Sequence, residues 1–246
     1  MKKTAVLIGA SGLTGGHLQQ QLLDHPAYDR VISLVRRPSG FSHPKLTEHV
    51  IDFEQPDPTL MEGQDFFCAL GTTLARAGSK EAQYKVDCQY PLALGKIAKE
   101  KGFSRYLLVS SIGANASSSN FYLRTKGELE KGLEALGFDT FVAARPSFLL
   151  GNRKEFRFGE KIGIWVWKFV QPVLGGPLRR LRGIPAASVA TALIQYANPD
   201  NGWKSYPTAS TVAKGLVYFA NAGFKGCFYP EYDELISAAK AGQASG

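Results

Sequence analysis

Tyr122 and Lys126 stand four residues apart in Tyr122-Leu-Arg-Thr-Lys126, a spacing that places a phenol and an ammonium on one face of a helix. A free tyrosine, with a pKa near 10, is only about 0.1% ionised at pH 7, and a neighbouring cation that lowers it by two or three units would raise that to roughly a tenth to a half. Such a tyrosine can give a proton to a carbonyl or take one from a hydroxyl. Upstream, Val109-Ser110-Ser111-Ile112-Gly113 closes an apolar run, and a serine at the carboxyl end of a central strand can hold a substrate oxygen. A surface Tyr/Lys pair would need no such company, so the pair gains meaning from what precedes it along the chain.

What precedes it is a glycine-rich loop, Gly9-Ala10-Ser11-Gly12-Leu13-Thr14-Gly15, directly after a short apolar segment. At a strand-to-helix junction Gly9 permits a tight turn, Gly12 lets backbone approach a pyrophosphate, and Gly15 allows close helix packing; the helix start favours negative charge. No Gly-Lys-Ser/Thr follows, which excludes a Walker A loop. The second strand ends in Arg36-Arg37, where an acid would select NAD and a cation accommodates the 2′-phosphate of NADP. NADP(H) is therefore the expected cofactor. Asp52, after the third strand, offers a carboxylate to the adenine edge or simply opens a turn. Leu70-Gly71-Thr72-Thr73 follows the fourth strand, where a glycine lets backbone approach the far half of a dinucleotide.

The elements that must position these groups read as alternating strands and helices. Strands are expected at Lys3 to Gly9, Val31 to Val35, near His49 to Ile51, at Phe66 to Leu70, Tyr106 to Val109 and Thr140 to Ala144. Helices are expected at Leu13 to Leu23, at Ser79 to Lys101 with Pro91 kinking or breaking it, at about Phe121 to Leu136 and near Pro185 to Tyr196, with a last strand and helix around Cys227 to Lys240. The alternation predicts the α/β class: a Rossmann-type doubly wound parallel sheet with a small C-terminal elaboration over the cofactor crevice. A single domain is expected over 1–246, with a dinucleotide-binding core at 1–150, a substrate-side elaboration at 151–240 and a disordered tail at 241–246.

With 246 residues, 44% hydrophobic and 20% charged, the composition excludes a disordered chain, a collagen-like fibre and a long coiled coil. The longest apolar stretch, Ile162 to Trp167, is far below the ~20 residues of a transmembrane helix. Met1-Lys2-Lys3-Thr4 leads into a strand without the apolar core of a signal peptide, so a cytoplasmic protein is expected. Cys68, Cys88 and Cys227 read as reduced packing residues, and the four histidines show no metal-ligand spacing. The net charge is +8, and between Arg145 and Arg182 nine basic side chains face only Glu155 and Glu160. Trp165, Trp167 and Phe169 around Lys168 read as an amphipathic lid or pocket wall, a homodimer contact or a peripheral membrane patch rather than a nucleic-acid platform.

Gly9–Gly15, Leu70–Thr73, Ser110-Ser-Ile-Gly-Ala114, Phe121-Tyr-Leu-Arg-Thr-Lys-Gly-Glu128 and Ala144-Arg-Pro-Ser147 together resemble the short-chain dehydrogenase/reductase superfamily. The likeness is to its atypical members, similar to the Tat-interacting-protein oxidoreductases, and covers most of residues 4 to 195. It implies that Tyr122 is the proton donor, that Lys126 binds the nicotinamide ribose and tunes Tyr122, and that Ser110 orients the substrate, with Ser111 as the alternative. It also implies that Arg145-Pro146-Ser147-Phe148-Leu149 passes beside the nicotinamide, bringing Pro146 and Leu149 to the cofactor. The expected function is NADP(H)-dependent hydride transfer to or from a small carbonyl or alcohol. The alternative, a dinucleotide-binding redox sensor, is disfavoured because such relatives typically lack the Tyr/Lys pair. No nucleic-acid partner is expected.

Overall fold

The structure, a computed structural model, describes residues 2–151, 183–199, 217–220 and 223–244. In chain order the elements are β1 (Lys3–Ile8), α1 (Leu13–Asp24), β2 (Tyr28–Val35), β3 (Leu46–Val50), β4 (Asp65–Cys68), α2 (Leu74–Ala77), α3 (Lys80–Tyr84), α4 (Tyr90–Glu100), β5 (Arg105–Val109) and α5 (Phe121–Glu134). They continue with β6 (Thr140–Ala144), β7 (Leu149–Leu150), β8 (Ile184–Pro185), α6 (Ala186–Ala197), β9 (Val217–Ala220), β10 (Gly223–Phe228) and α7 (Tyr232–Ala244).

Alternation along the central strands builds two cores at once. In β1, Ala5 and Leu7 join the layer formed by α1, α6 and α7, while Val6 and Ile8 join the opposite layer with Leu94 and Ala98 of α4 and Leu129 and Leu133 of α5. Both faces of the strand are therefore apolar, as a parallel sheet with helices on each side requires. The main sheet runs β3-β2-β1-β4-β5-β6-β10-β9, parallel throughout except for β9, which is antiparallel to β10. This is the doubly wound Rossmann-type sheet the alternation predicts. Chain order reverses between β1 and β4, and the crevice at their carboxyl ends is where such sheets bind ligands.

Several boundaries differ from the sequence reading. β3 begins at Leu46 rather than near His49, because Leu46-Thr-Glu-His-Val50 is a half-exposed edge strand whose pairing with β2, not its apolarity, defines it. The helix expected over Ser79 to Lys101 divides into α3, a wide π-type turn at Lys85–Gln89 and α4. Pro91 has no N–H to return to the Asp87 carbonyl, and the wide turn absorbs that loss without breaking the axis. α7 extends through Ala244, four residues into the tail expected to be disordered, because the Ala-rich run before it favours continued helix. The described parts of 151–240 add β10 beside β6 and pack α6 against α1, whereas the basic aromatic stretch, most of the 196–225 segment and residues 245–246 lie outside the described residues.

At the amino ends of the strands, Asp65 is fully buried and accepts from Lys3 Nζ at 2.9 Å, Arg105 at 2.8 Å and the Tyr28 hydroxyl at 2.7 Å. Asn198, just past α6, donates to the same Tyr28 hydroxyl at 3.0 Å. Burial and the Asp65 carboxylate hold the Tyr28 phenol well above its usual range, so it stays a donor. One carboxylate thus ties β1, β2, β4, β5 and the end of α6 together. Asp65→Asn should destabilise the fold by about 2–4 kcal/mol, since it leaves two cations without their counter-charge in a largely buried setting. Urea unfolding measures this; a loss below about 1 kcal/mol would contradict it, and nucleotide affinity should not change because the crevice is at the other end of the sheet.

Candidate active site

The turn from β1 into α1 is built on backbone contacts that exclude side chains. Gly9 has φ +86°, and a Cβ there would lie 2.5 Å from the Ala69 carbonyl at the end of β4. A Cβ on Gly15 would lie 1.9 Å from the Gly9 carbonyl oxygen. Gly12 caps α1 without any side-chain hydrogen bond, which leaves the first-turn N–H groups free to meet an anion. Thr14 is 5% exposed, and its hydroxyl has no hydrogen-bond partner among the described residues. An unpartnered buried hydroxyl in an uncapped helix start fits a phosphate ligand. Ser11 is exposed on this loop, and Leu13 packs against Gly151, where a Cβ would meet its methyl at 2.8 Å. That contact brings the Leu149–Gly151 stretch over the start of α1.

Arg36 and Arg37 are exposed just beyond β2, the neighbour of β1. Asp52, also exposed, accepts the Glu54 N–H at 2.9 Å, so it opens a turn as an ordinary Asp does. Beside it Glu54 accepts from Lys85 at 2.8 Å and from the Tyr90 hydroxyl at 2.6 Å. That hydrogen bond raises the Tyr90 phenol to about 12, and the Arg36 charge acts against the rise. The rim beyond β2 and β3 is thus polar, with Arg36 and Arg37 on it.

The other end is deeper. Tyr122, in the first turn of α5, is 38% exposed, while Lys126 one turn on is 4% exposed. Asn120 caps this helix by accepting the Leu123 N–H at 3.1 Å. Gly71, after β4, lies above two buried charges: a Cβ there would be 3.7 Å from Asp87 Oδ1 and 4.0 Å from Lys126 Nζ. Asp87 sits in the wide turn before α4 and accepts the Thr72 N–H at 2.6 Å and Gln83 Nε2 at 3.4 Å. Burial pushes its carboxyl upward, opposed by Lys126 and these donors. Burial opposes the charge on Lys126 too, yet Tyr122, Asp87, Cys68 and Glu130 around it outweigh that effect and hold the ammonium above the usual lysine range.

The two serines have different surroundings. Ser110 is buried, and its hydroxyl donates to Glu130 Oε1, which also accepts Arg145 Nε at 3.1 Å. Ser111 is partly exposed, and among the described residues its hydroxyl makes only a long 3.4 Å contact with the Ile112 carbonyl. Pro146 is buried, and its carbonyl accepts the Ile112 N–H at 3.0 Å, which fastens the β5 end to the β6 end. Tyr122, Lys126 and the serines were named from the sequence, Arg145 only as the start of the Arg145–Leu149 stretch, and Asp87 and Glu130 not at all. Glu130 continues the Tyr122, Lys126 spacing by a further four residues, a signal present in the chain; Asp87 carries none beyond its place four residues before Pro91.

The profile of the NAD(P)H-binding family matches residues 9–162. The chain is 36% identical over 200 residues to protein FMP52, mitochondrial, of Eremothecium gossypii, covering 77% of this chain and 87% of that protein. It is 38% identical over 164 residues to protein HTATIP2 of Rattus norvegicus, covering 64% and 67%. Among solved structures, MoeE5 in complex with UDP-glucose and NAD has a TM-score of 0.62 at 14% identity, covering 96% of this chain and 81% of that one, a likeness of fold alone. The cytoplasmic expectation is overturned by these comparisons, since the FMP52 relatives, including those of Candida glabrata and Emericella nidulans, are mitochondrial. A secretory signal and a mitochondrial transit peptide have different sequence patterns, so the one does not bear on the other. Among the described residues no helix is long and apolar enough to cross a membrane. With the glycine turn, the switch-point crevice and these matches together, the chain belongs to the NAD(P)H-binding family, among the Rossmann-fold oxidoreductases related to FMP52 and HTATIP2.

Proposed function

We propose that the protein is an NADP(H)-dependent oxidoreductase that reduces a small carbonyl, or oxidises the matching alcohol, with Tyr122 as proton donor or acceptor. The observation that carries this reading is the pairing on α5 of exposed Tyr122 with buried Lys126, whose ammonium lies beneath Gly71 at the end of β4. The cradle of Gly9, Ser11, Gly12, Leu13, Thr14 and Gly15 would hold the pyrophosphate, and Arg36 and Arg37 the 2′-phosphate. Leu70, Gly71 and Thr72 would line the nicotinamide half from one side, and Pro146 and Leu149 from the other, with Asp52 at the adenine rim. A bound NADP(H) supplies or accepts the hydride. Tyr122 is exposed enough to reach a substrate oxygen, whereas the Lys126 ammonium one turn on is buried and stays fixed among Asp87, Cys68 and Glu130. Ser111 is the better substrate-orienting serine, because the Ser110 hydroxyl is already engaged by Glu130. The pairing of an accessible tyrosine with a buried lysine supports turnover over a purely sensory role.

Cofactor choice, the nucleotide cradle and the proton donor are tested separately. NADPH should bind at least about tenfold more tightly than NADH, about 1.4 kcal/mol, and Arg36→Asp should erase or reverse the preference in a nucleotide titration. Equal affinities in the unaltered protein would sink the assignment. Thr14→Val should leave stability unchanged or raise it slightly, because it removes a buried hydroxyl with no hydrogen-bond partner among the described residues. The same substitution should weaken NADPH binding by roughly tenfold, consistent with a lost charge-assisted hydrogen bond; undiminished affinity would remove Thr14 from the site. Tyr122→Phe should cut turnover across a panel of aldehydes and ketones by roughly 10²–10⁴ with NADPH affinity nearly intact. A fully active variant would refute the mechanism, and an inactive unaltered protein that still binds NADPH would favour the sensor.

A further inference from the structure

Asp87, Lys126, Glu130 and Arg145 form a row of alternating charge at the carboxyl ends of β4, β5 and β6. Asp87 is 0%, Lys126 4% and Glu130 3% exposed. Apolar residues fill such space at lower cost than ions, so the row is costly as mere packing. Glu130 is its junction. One carboxylate oxygen accepts both the Ser110 hydroxyl, from the β5 end, and Arg145 Nε, from the β6 end; the other accepts the second Arg145 nitrogen. Arg145 is held in turn by the Tyr229 ring 4.5 Å away, and its N–H donates to the Pro230 carbonyl at 2.8 Å. Glu130 also shares a helical stripe with Tyr122 and Lys126, at successive steps of four.

We infer that Glu130 is a positioning residue of this site: by gripping Ser110 and Arg145 it fixes the β5-end turn against α5, so that Ser111 is presented at a constant distance from Tyr122. The inference rests on the oxidoreductase reading and deepens it. Glu130 is 3% exposed with both carboxylate oxygens engaged, so it acts through Ser110 and Arg145. Its effect belongs to alignment in the reaction step, where small displacements are costly, and not to binding.

The test uses the full-length protein, NADPH, and a carbonyl that proves active in the panel. Glu130→Gln should lower kcat about tenfold or more while KM and NADPH affinity stay within about threefold. Ser110→Ala, which keeps the Glu130–Arg145 pair, should lower kcat by a smaller factor. The double variant should fall no further than Glu130→Gln alone, because both changes cut one linkage. Unchanged kcat in both single variants, an additive double variant, or a loss shared equally by kcat and binding would each overturn the proposal. Should Glu130→Gln fail to fold, the split between kcat and KM in Ser110→Ala decides. If the unaltered protein turns over no carbonyl, the oxidoreductase reading fails by itself, and amide exchange across Ser110–Gly113 with NADPH bound still reads the grip. Exchange about tenfold faster in the variants supports it, and unchanged exchange overturns it.

Discussion

The Gly9 carbonyl and Gly15 are so close that one added methyl would sit 1.9 Å from the oxygen, and the rest of the crevice is built around that contact. It sets how tightly α1 follows β1. The same short turn presses Gly9 against the Ala69 backbone, so the ends of β1 and β4 meet with no side chain between them. Because the chain order reverses at this seam, the opening above it is lined from both halves of the sheet. The uncapped start of α1 lies on one side, and the Leu70–Thr72 turn on the other. Asp87 then fixes that turn through the Thr72 N–H, and Lys126 lies beneath it.

Buried charge is concentrated at the two ends of the sheet and has a different consequence at each. At the amino ends, Asp65 gathers Lys3, Tyr28 and Arg105, groups distant in sequence, and ties the strand starts together. At the carboxyl ends, the row from Asp87 to Arg145 leads up to a half-exposed tyrosine. An ammonium enclosed among anionic groups keeps its charge despite burial, and its place is fixed because leaving them would strand a bare ion. The Tyr122 phenol, by contrast, stays within reach of solvent.

Most of the frame was legible in the chain. The glycine loop, the positions of the central strands and the helix carrying Tyr122 and Lys126 all follow from local rules: apolar period, turn chemistry and i, i+4 spacing. Those rules weaken where local apolarity is poor. β3 is an edge strand recognisable only through its partner β2, and the helix around Pro91 continues because a wide turn accommodates the proline instead of breaking there.

By itself, then, the sequence determined a doubly wound sheet, an anion-ready turn at its first strand and a Tyr/Lys pair on one helical face. Only the tertiary structure decided which neighbouring groups serve which end. Ser110 and Ser111 are adjacent and chemically identical, yet one hydroxyl is drawn into Glu130 while the other stays at the rim. Asp87 becomes part of the site because a turn 39 residues upstream of Lys126 folds over beside it. Local spacing specifies the direction of a side chain along its own helix or strand; what that side chain meets is set by long-range packing, which no short window of residues contains.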